Sequence, residues 1–258
     1  ALFLQGADTL QNPQAPFPPA SALLAFGVTT TRDPALLSNL RDFSMIELIN
    51  SGRIKGPKYF ATGERIRPQS YPIRGLADAR AAVALQTELG ADYIKEYLQP
   101  RRAQRQWLAE AAFRRGVAIT FDTGFSYKRA VTAALDGYTA SEHSAGNVPV
   151  YDDFAQLLGR SGTFSTPTIL SQVGAEYYFQ RQEVVGNAKL RRFLPERLLQ
   201  RLAARTRRGH GVALAETAFP TLTGNLERLD AAGVTLGVGA HDQPAPTGLG
   251  THWELWSF

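Results

Sequence analysis

Apolar residues occur along this chain as short runs rich in β-branched side chains, each followed by a longer stretch at helical spacing. Ala1 to Gly6 reads as a strand, followed by a Pro-rich loop from Asn12 to Pro19 and a short helix from Ala20 to Phe26. Gly27 to Thr31 predicts a strand ending at Arg32-Asp33-Pro34. Pro34 suits the first position of a helix, which Leu36, Leu40, Ile46 and Ile49 continue and Gly52 stops. Lys58 to Thr62 predicts a strand, Leu76 to Leu89 an Ala-rich helix, Asp92 to Lys95 a short strand and Pro100 to Arg115 a helix.

The rhythm continues with a strand from Val117 to Phe121 ahead of Asp122, then a helix from Tyr127 to Leu135. A strand from Tyr138 to His143 and a helix from Tyr151 to Leu158 follow. Thr163 to Ile169 predicts a strand. A helical insertion, residues 176–217, separates it from a helix over Phe219 to Ala232 and a final strand, Val234 to Gly239. Gly90, Gly116, Gly137, Gly162 and Gly233 each stand between a helix and the next strand, as helix C-termini favour. About eight strands alternating with about eight helices imply parallel strands and an α/β fold, a (β/α)8 TIM-type barrel in one domain over residues 1–258. A doubly wound sheet is the alternative, but no Gly-rich phosphate turn is present to support it.

Composition alters this picture little. The 258 residues are 44% hydrophobic and 20% charged, enough for one large core. The formal net charge of +5 comes from Arg-rich helical stretches, without a nucleic-acid motif, so nucleic acid is not expected as a partner. No run approaches a membrane span, and Ala1 to Gly6 lacks the positive region and length of a signal peptide. The compartment stays open between bacterial cytoplasm and periplasm, and a homo-oligomer is compatible with the sequence. Both chain ends read as cut from something longer. With no cysteine, thiol nucleophiles and Cys metal sites are excluded.

The chemistry lies at the strand ends. Arg32-Asp33, Lys95-Glu96-Tyr97, Asp122, Glu142-His143, Thr166-Pro167-Thr168 and His241-Asp242 each close a predicted strand, where parallel barrels carry their active sites. Imidazoles and carboxylates converging on one rim suit a divalent metal, zinc by preference, with an open position for water. His143, His241, Asp122 and Lys95 are the candidate ligands. Lys95 could instead pair with a carboxylate or, if carbamylated, bridge two metals. Asp242, Glu142 and Lys95 are candidates for proton transfer. The fourth histidine in the sequence, His210, falls in the insertion and reads as a surface residue.

These pieces resemble the amidohydrolase superfamily, in its imidazolonepropionase-like and prolidase-like branch. They look closest to the amidohydrolase domains of β-propeller-fused bacterial proteins. The resemblance rests on Ala25 to Thr30 with Asp33-Pro34, Gly56-Pro57-Lys58 with Ala61-Thr62-Gly63, and Lys95-Glu96-Tyr97 with Gln99 to Arg102. It continues through Asp136 to Thr139 with Glu142-His143, Thr166-Pro167-Thr168, and Gly239-Ala240-His241 with Gly248-Leu249-Gly250 and His252 to Trp256. It implies a metal-dependent hydrolase of amide, peptide or cyclic amide C–N bonds acting on a small-molecule or peptide substrate. The family's strand-four lysine falls on Lys95, its strand-five ligand near Asp122, its strand-six histidine on His143 and its strand-eight position on His241. Tyr97, Arg102, His252 and Glu254 lie in the matching stretches as expected substrate contacts. One departure stands out: the family's first-strand His-x-His falls on Leu2-Phe3-Leu4. It keeps open a second reading, a degenerate barrel that binds a small molecule or protein partner without catalysis.

Overall fold

The computed structural model describes residues 18–173, 186–193, 196–197, 199–200, 204, 217–241 and 248–258. The predicted strand at residues 1–6, most of the helical insertion and Asp242 lie outside the described residues. Helix α1 spans Pro18–Ala25, β1 Thr30–Asp33, α2 Asn39–Asn50, β2 Lys58–Ala61, α3 Leu76–Glu88, β3 Ile94–Glu96 and α4 Arg102–Arg115. Next come β4 Ile119–Asp122, α5 Tyr127–Leu135, β5 Ala140–Glu142, α6 Asp152–Ser161, β6 Phe164–Thr166 and α7 Ile169–Val173. The last elements are α8 Ala188–Phe193, α9 Phe219–Ala231 and α10 Leu249–Ser257.

Every named strand pairs in parallel. β1 pairs with β2, and β3 to β6 form a four-stranded sheet in sequence order. The two sheets are joined where the Asp92 N–H donates to the Ala61 carbonyl at 2.8 Å and the Ile66 N–H to the Lys95 carbonyl at 2.9 Å. The expected last strand is reduced to a bridge between Leu236 and Ser165. Nor is that run buried on both faces: Val234 is 4% exposed but Val238 is 40% exposed, because Val238 faces a cavity rather than a helix. Side-chain-free Gly237 and Gly239 let the run approach β6. A Cβ would fall 2.2 Å from the Phe164 ring at the first and 2.1 Å from Thr166 Cγ2 at the second.

Strands β1, β3 and β4 end one or two residues beyond their apolar runs, at Asp33, Glu96 and Asp122. The reason is the inward face. The pleat sends Ile94, Ile119 and Phe121 outward into the main core, against Ala79, Val83, Leu108, Ala112 and Ala133 of the surrounding helices. It sends polar residues inward: Lys95 is in register with Thr120, and Asp122 with Glu142 and Thr166. Strand pairing therefore continues through charged residues that hydropathy alone assigns to loops. Helix α2 likewise begins at Asn39 rather than Pro34. An Asx turn, with the Ala35 N–H donating to Asp33 Oδ1 at 2.9 Å, holds the intervening backbone.

Candidate functional site

The C-terminal ends of the strands open into a cavity of about 620 Å³, a size typical of small-ligand sites. Lys95, Tyr97, Asp122, Glu142, His143 and His241 all line it, as do Arg32, Arg65, Thr166 and Thr168. Phe60, Phe164 and Val238 give it an apolar side.

Asp122 is the meeting point of one wall. Its Oδ1 accepts from the Gly124 N–H at 2.9 Å. Its Oδ2 lies 3.4 Å from Lys95 Nζ and 3.4 Å from His143 Nε2. Burial works to raise the Asp122 pKa, but the His143 contact and the Lys95 charge outweigh it, holding the carboxyl well below its usual range. The His241 ring stands 5.5 Å from that of His143, centroid to centroid. Burial first, with positive charge around it that includes Lys95, pushes the His241 pKa down to about 4, so its imidazole is neutral at pH 7.

His143 is held in a costly conformation. Its φ is 71°, and that of Thr168 is 50°. A left-handed backbone is uncommon for His and an outlier for a β-branched residue. The two strained residues face each other: His143 Nδ1 lies 2.5 Å from Thr168 Oγ1, and the His143 N–H donates to the Thr166 carbonyl at 2.8 Å. Strain of this kind, about 1–3 kcal/mol per residue, persists where the surroundings over-determine it, and it clusters at functional sites.

The floor beneath is a second charge pair. Arg32 grips Glu142 through both guanidinium nitrogens, at 2.6 and 3.0 Å, and Thr120 donates to Glu142 Oε1 at 2.9 Å. Arg32 also donates to Thr166 Oγ1 and stacks over Tyr93 and Phe164, 5.6 and 5.5 Å from their centroids. Burial pushes the Glu142 pKa up, yet Arg32 and Lys95 more than reverse it. With both oxygens engaged, Glu142 is placed as a fixed support rather than as the proton carrier expected from its position.

Three expected substrate contacts do not reach the cavity. Arg102 is exposed on α4 and pairs with Asp136 at 2.7 Å. His252 Nε2 lies 2.7 Å from the Phe26 carbonyl oxygen. Glu254, 0% exposed, accepts from the Ile169 and Leu170 N–H groups at 2.7 and 3.0 Å, capping α7. Each of these bonds joins elements far apart in the chain or aims a side chain away from the rim, so motif position alone misplaced them. Arg65 is the lining residue that sequence reasoning passed over. Its signal was a cation just after the strand-ending Thr62-Gly63.

The parallel strand order, the outer helices and the strand-end cavity define a parallel α/β scaffold with its cavity at the C-terminal ends of the strands. Solved structures narrow the likeness. A Xaa-Pro dipeptidase with bound methionine in its active site superposes with a TM-score of 0.61 at 20% identity, over 93% of this chain and 61% of its own. Bottromycin amidohydrolase gives 0.64 at 19%, over 93% and 59%. A. niger ochratoxinase gives 0.56 at 18%, over 86% and 54%. The chain thus shares their fold while spanning about three fifths of the length of the dipeptidase. No protein-family profile and no curated protein matches its sequence. Among the described residues, no helix is long and apolar enough to cross a membrane.

Proposed function

We propose that this chain is the barrel portion of a metal-dependent hydrolase of amide or peptide C–N bonds, its strands closing as a (β/α)8 barrel. The observation that carries the reading is the convergence of Lys95, Asp122, His143 and His241 on one wall of the strand-end cavity. The fold shared with a dipeptidase and an amidohydrolase supports it.

The donor chemistry fits a zinc-type ion. Ligation requires an ionised carboxylate and a neutral imidazole, the states in which the cavity keeps Asp122 and His241. The fit is partial, since among the described residues no three His, Asp or Glu side chains form a ready-made metal cage. Asp122, His143 and His241 would hold the ion, with Lys95 beside them; a bound ion acidifies water and polarises a carbonyl. With an ion bound, the His143 tautomer protonated at Nδ1 would donate to Thr168 Oγ1, which orients the ring and leaves Nε2 for ligation. Lys95 keeps Asp122 ionised, and the apolar side of the cavity excludes water from the reacting bond.

Hydrolysis of dipeptides and N-acyl amino acids, followed with added zinc or manganese, tests this. Turnover is expected, with kcat/KM falling by about 100-fold or more in Asp122→Asn and His143→Ala. A second reading, a binding barrel without catalysis, draws on Asp122 already having Lys95 and His143 for partners. Ligand binding without turnover under either metal would favour that reading and sink the first.

A further inference from the structure

Glu254 is buried to make two hydrogen bonds. It is 0% exposed. Its partners among the described residues are backbone N–H groups, Ile169 donating to Oε1 at 2.7 Å and Leu170 to Oε2 at 3.0 Å. A carboxylate withdrawn this far from water is costly, and burial pushes its pKa up. Helix α7 has only five residues, and a short polar side chain or water at its start would satisfy the same N–H groups more cheaply. What Glu254 adds is a fixed direction, imposed on α7 by a helix 85 positions away.

The residue that gains is Thr168. It stands immediately before α7 with a φ of 50°, a conformation that a β-branched side chain adopts only when its surroundings impose it. The Ile169 N–H belongs to the planar Thr168–Ile169 peptide. Holding that N–H and the next one therefore fixes the C-terminal side of Thr168. Its Oγ1 then lies 2.5 Å from His143 Nδ1. Gln172, on α7, makes a second tie to the same segment, its Nε2 donating to Ser144 Oγ at 2.9 Å and to the Pro167 carbonyl at 2.8 Å. The stretch from Thr168 to Gln172 thus bears on His143 and Ser144, and Glu254 joins that stretch to α10.

Asp42 shows the same chemistry without the consequence. It is 2% exposed, and its Oδ2 accepts from the Leu37 and Ser38 N–H groups, both at 2.9 Å, just ahead of α2. Neither Leu37 nor Ser38 lines the cavity, whereas Thr168 does.

We propose that Glu254 is a positioning residue for His143: by holding the first two N–H groups of α7, it keeps Thr168 in the conformation that meets the His143 ring. The metal-binding role of His143 rests on the hydrolase reading; the hold on its ring does not.

The test compares the 258-residue chain with Glu254→Gln, Thr168→Val, the two combined, and Asp42→Asn as control. Glutamine offers one acceptor oxygen and sets its NH2 against the remaining N–H. Valine keeps the branched shape of threonine without the hydroxyl. Glu254→Asp, its carboxylate on a shorter stem, carries the same comparison if Glu254→Gln does not fold. The metal-free readout is the imidazole Cε1–H NMR signal of His143, assigned by its loss in His143→Ala. It is expected to move in Glu254→Gln and in Thr168→Val, to move no further in the double variant than in Thr168→Val, and to stay in place in Asp42→Asn. Zinc affinity, measured by chelator competition, should fall about tenfold in Glu254→Gln and hold in Asp42→Asn. A His143 signal that ignores Glu254→Gln, moves as far in Asp42→Asn, or moves additively in the double variant would overturn the assignment. So would zinc binding of equal strength in Glu254→Gln and the original chain. If the signal behaves as expected while the original chain binds no zinc, the positioning role stands and the metal reading fails.

Discussion

Two ion pairs share this cavity, and they are built to different specifications. Arg32 and Glu142 meet in a bidentate fork, with Thr120 and Thr166 taking up neighbouring bonding positions. Lys95 and Asp122 meet at a single 3.4 Å contact, with His143 at the same distance from the same oxygen. The first pair is saturated and has little to gain from a new partner. The second is compensated in charge but loosely bonded, so a stronger ligand can displace its contacts. That difference separates a support from a working group more sharply than residue type does, since each pair combines one cation with one carboxylate.

The largest expected effect falls on the saturated pair. Arg32→Ala leaves Glu142, 2% exposed, without its bidentate partner and is expected to cost about 3–5 kcal/mol in urea unfolding. A loss below about 1 kcal/mol would show that Glu142 needs no fixed partner and would erase the contrast.

Glu254 offers a third buried carboxylate, one with backbone donors and no cation, and it titrates in the opposite direction. Burial pushes its pKa up to about 7, against which the Leu170 and Ile169 N–H groups pull only part of the way back. Its unfolded value is about 4.3. The folded chain thus holds this proton more tightly, and stability should fall as pH rises from about 4.3 to about 7 and then level off, by about 3–4 kcal/mol in all. Melting temperatures across that range should show the fall in the original chain and a flatter profile in Glu254→Gln.

The smallest effect belongs to the loose pair. Asp122→Asn should cost less than Arg32→Ala at pH 7, because Lys95 still faces Glu142. Asp122 and Glu142 both have lowered folded pKa values. Their contribution is complete above their unfolded values of about 4 and disappears as pH falls below that through the folded values. Acid unfolding monitored by circular dichroism should therefore be less steep below about pH 4 in Asp122→Asn. A loss at pH 7 as large as that of Arg32→Ala would contradict the account of Asp122 as loosely held.

Much of this architecture was legible from the chain alone, and for a physical reason. Period-two apolar positions such as Ile94, Ile119 and Phe121 face the helices, while the same pleat delivers Lys95, Asp122 and Glu142 to one rim, which His143 and His241 join from just beyond the strand ends. What local pattern does not encode is partnership across the fold. Arg32 meets Glu142 over 110 positions and Glu254 reaches Ile169 over 85. The first turned an expected proton carrier into a support, and the second turned an expected substrate contact into a helix cap. The ends of β1, β3 and β4 were placed too early because inward-facing charges look like loop until the cavity around them is known.

The most direct test of the central claim is zinc affinity, measured by competition with a chromogenic chelator on the original chain, His143→Ala and His252→Ala. His252 bonds to the Phe26 carbonyl, away from the cavity, and serves as the control. One ion per chain is expected on the original protein and on His252→Ala, with affinity weakened about tenfold or more in His143→Ala. No bound zinc, or equal affinity in all three proteins, would contradict a metal site at Asp122, His143 and His241.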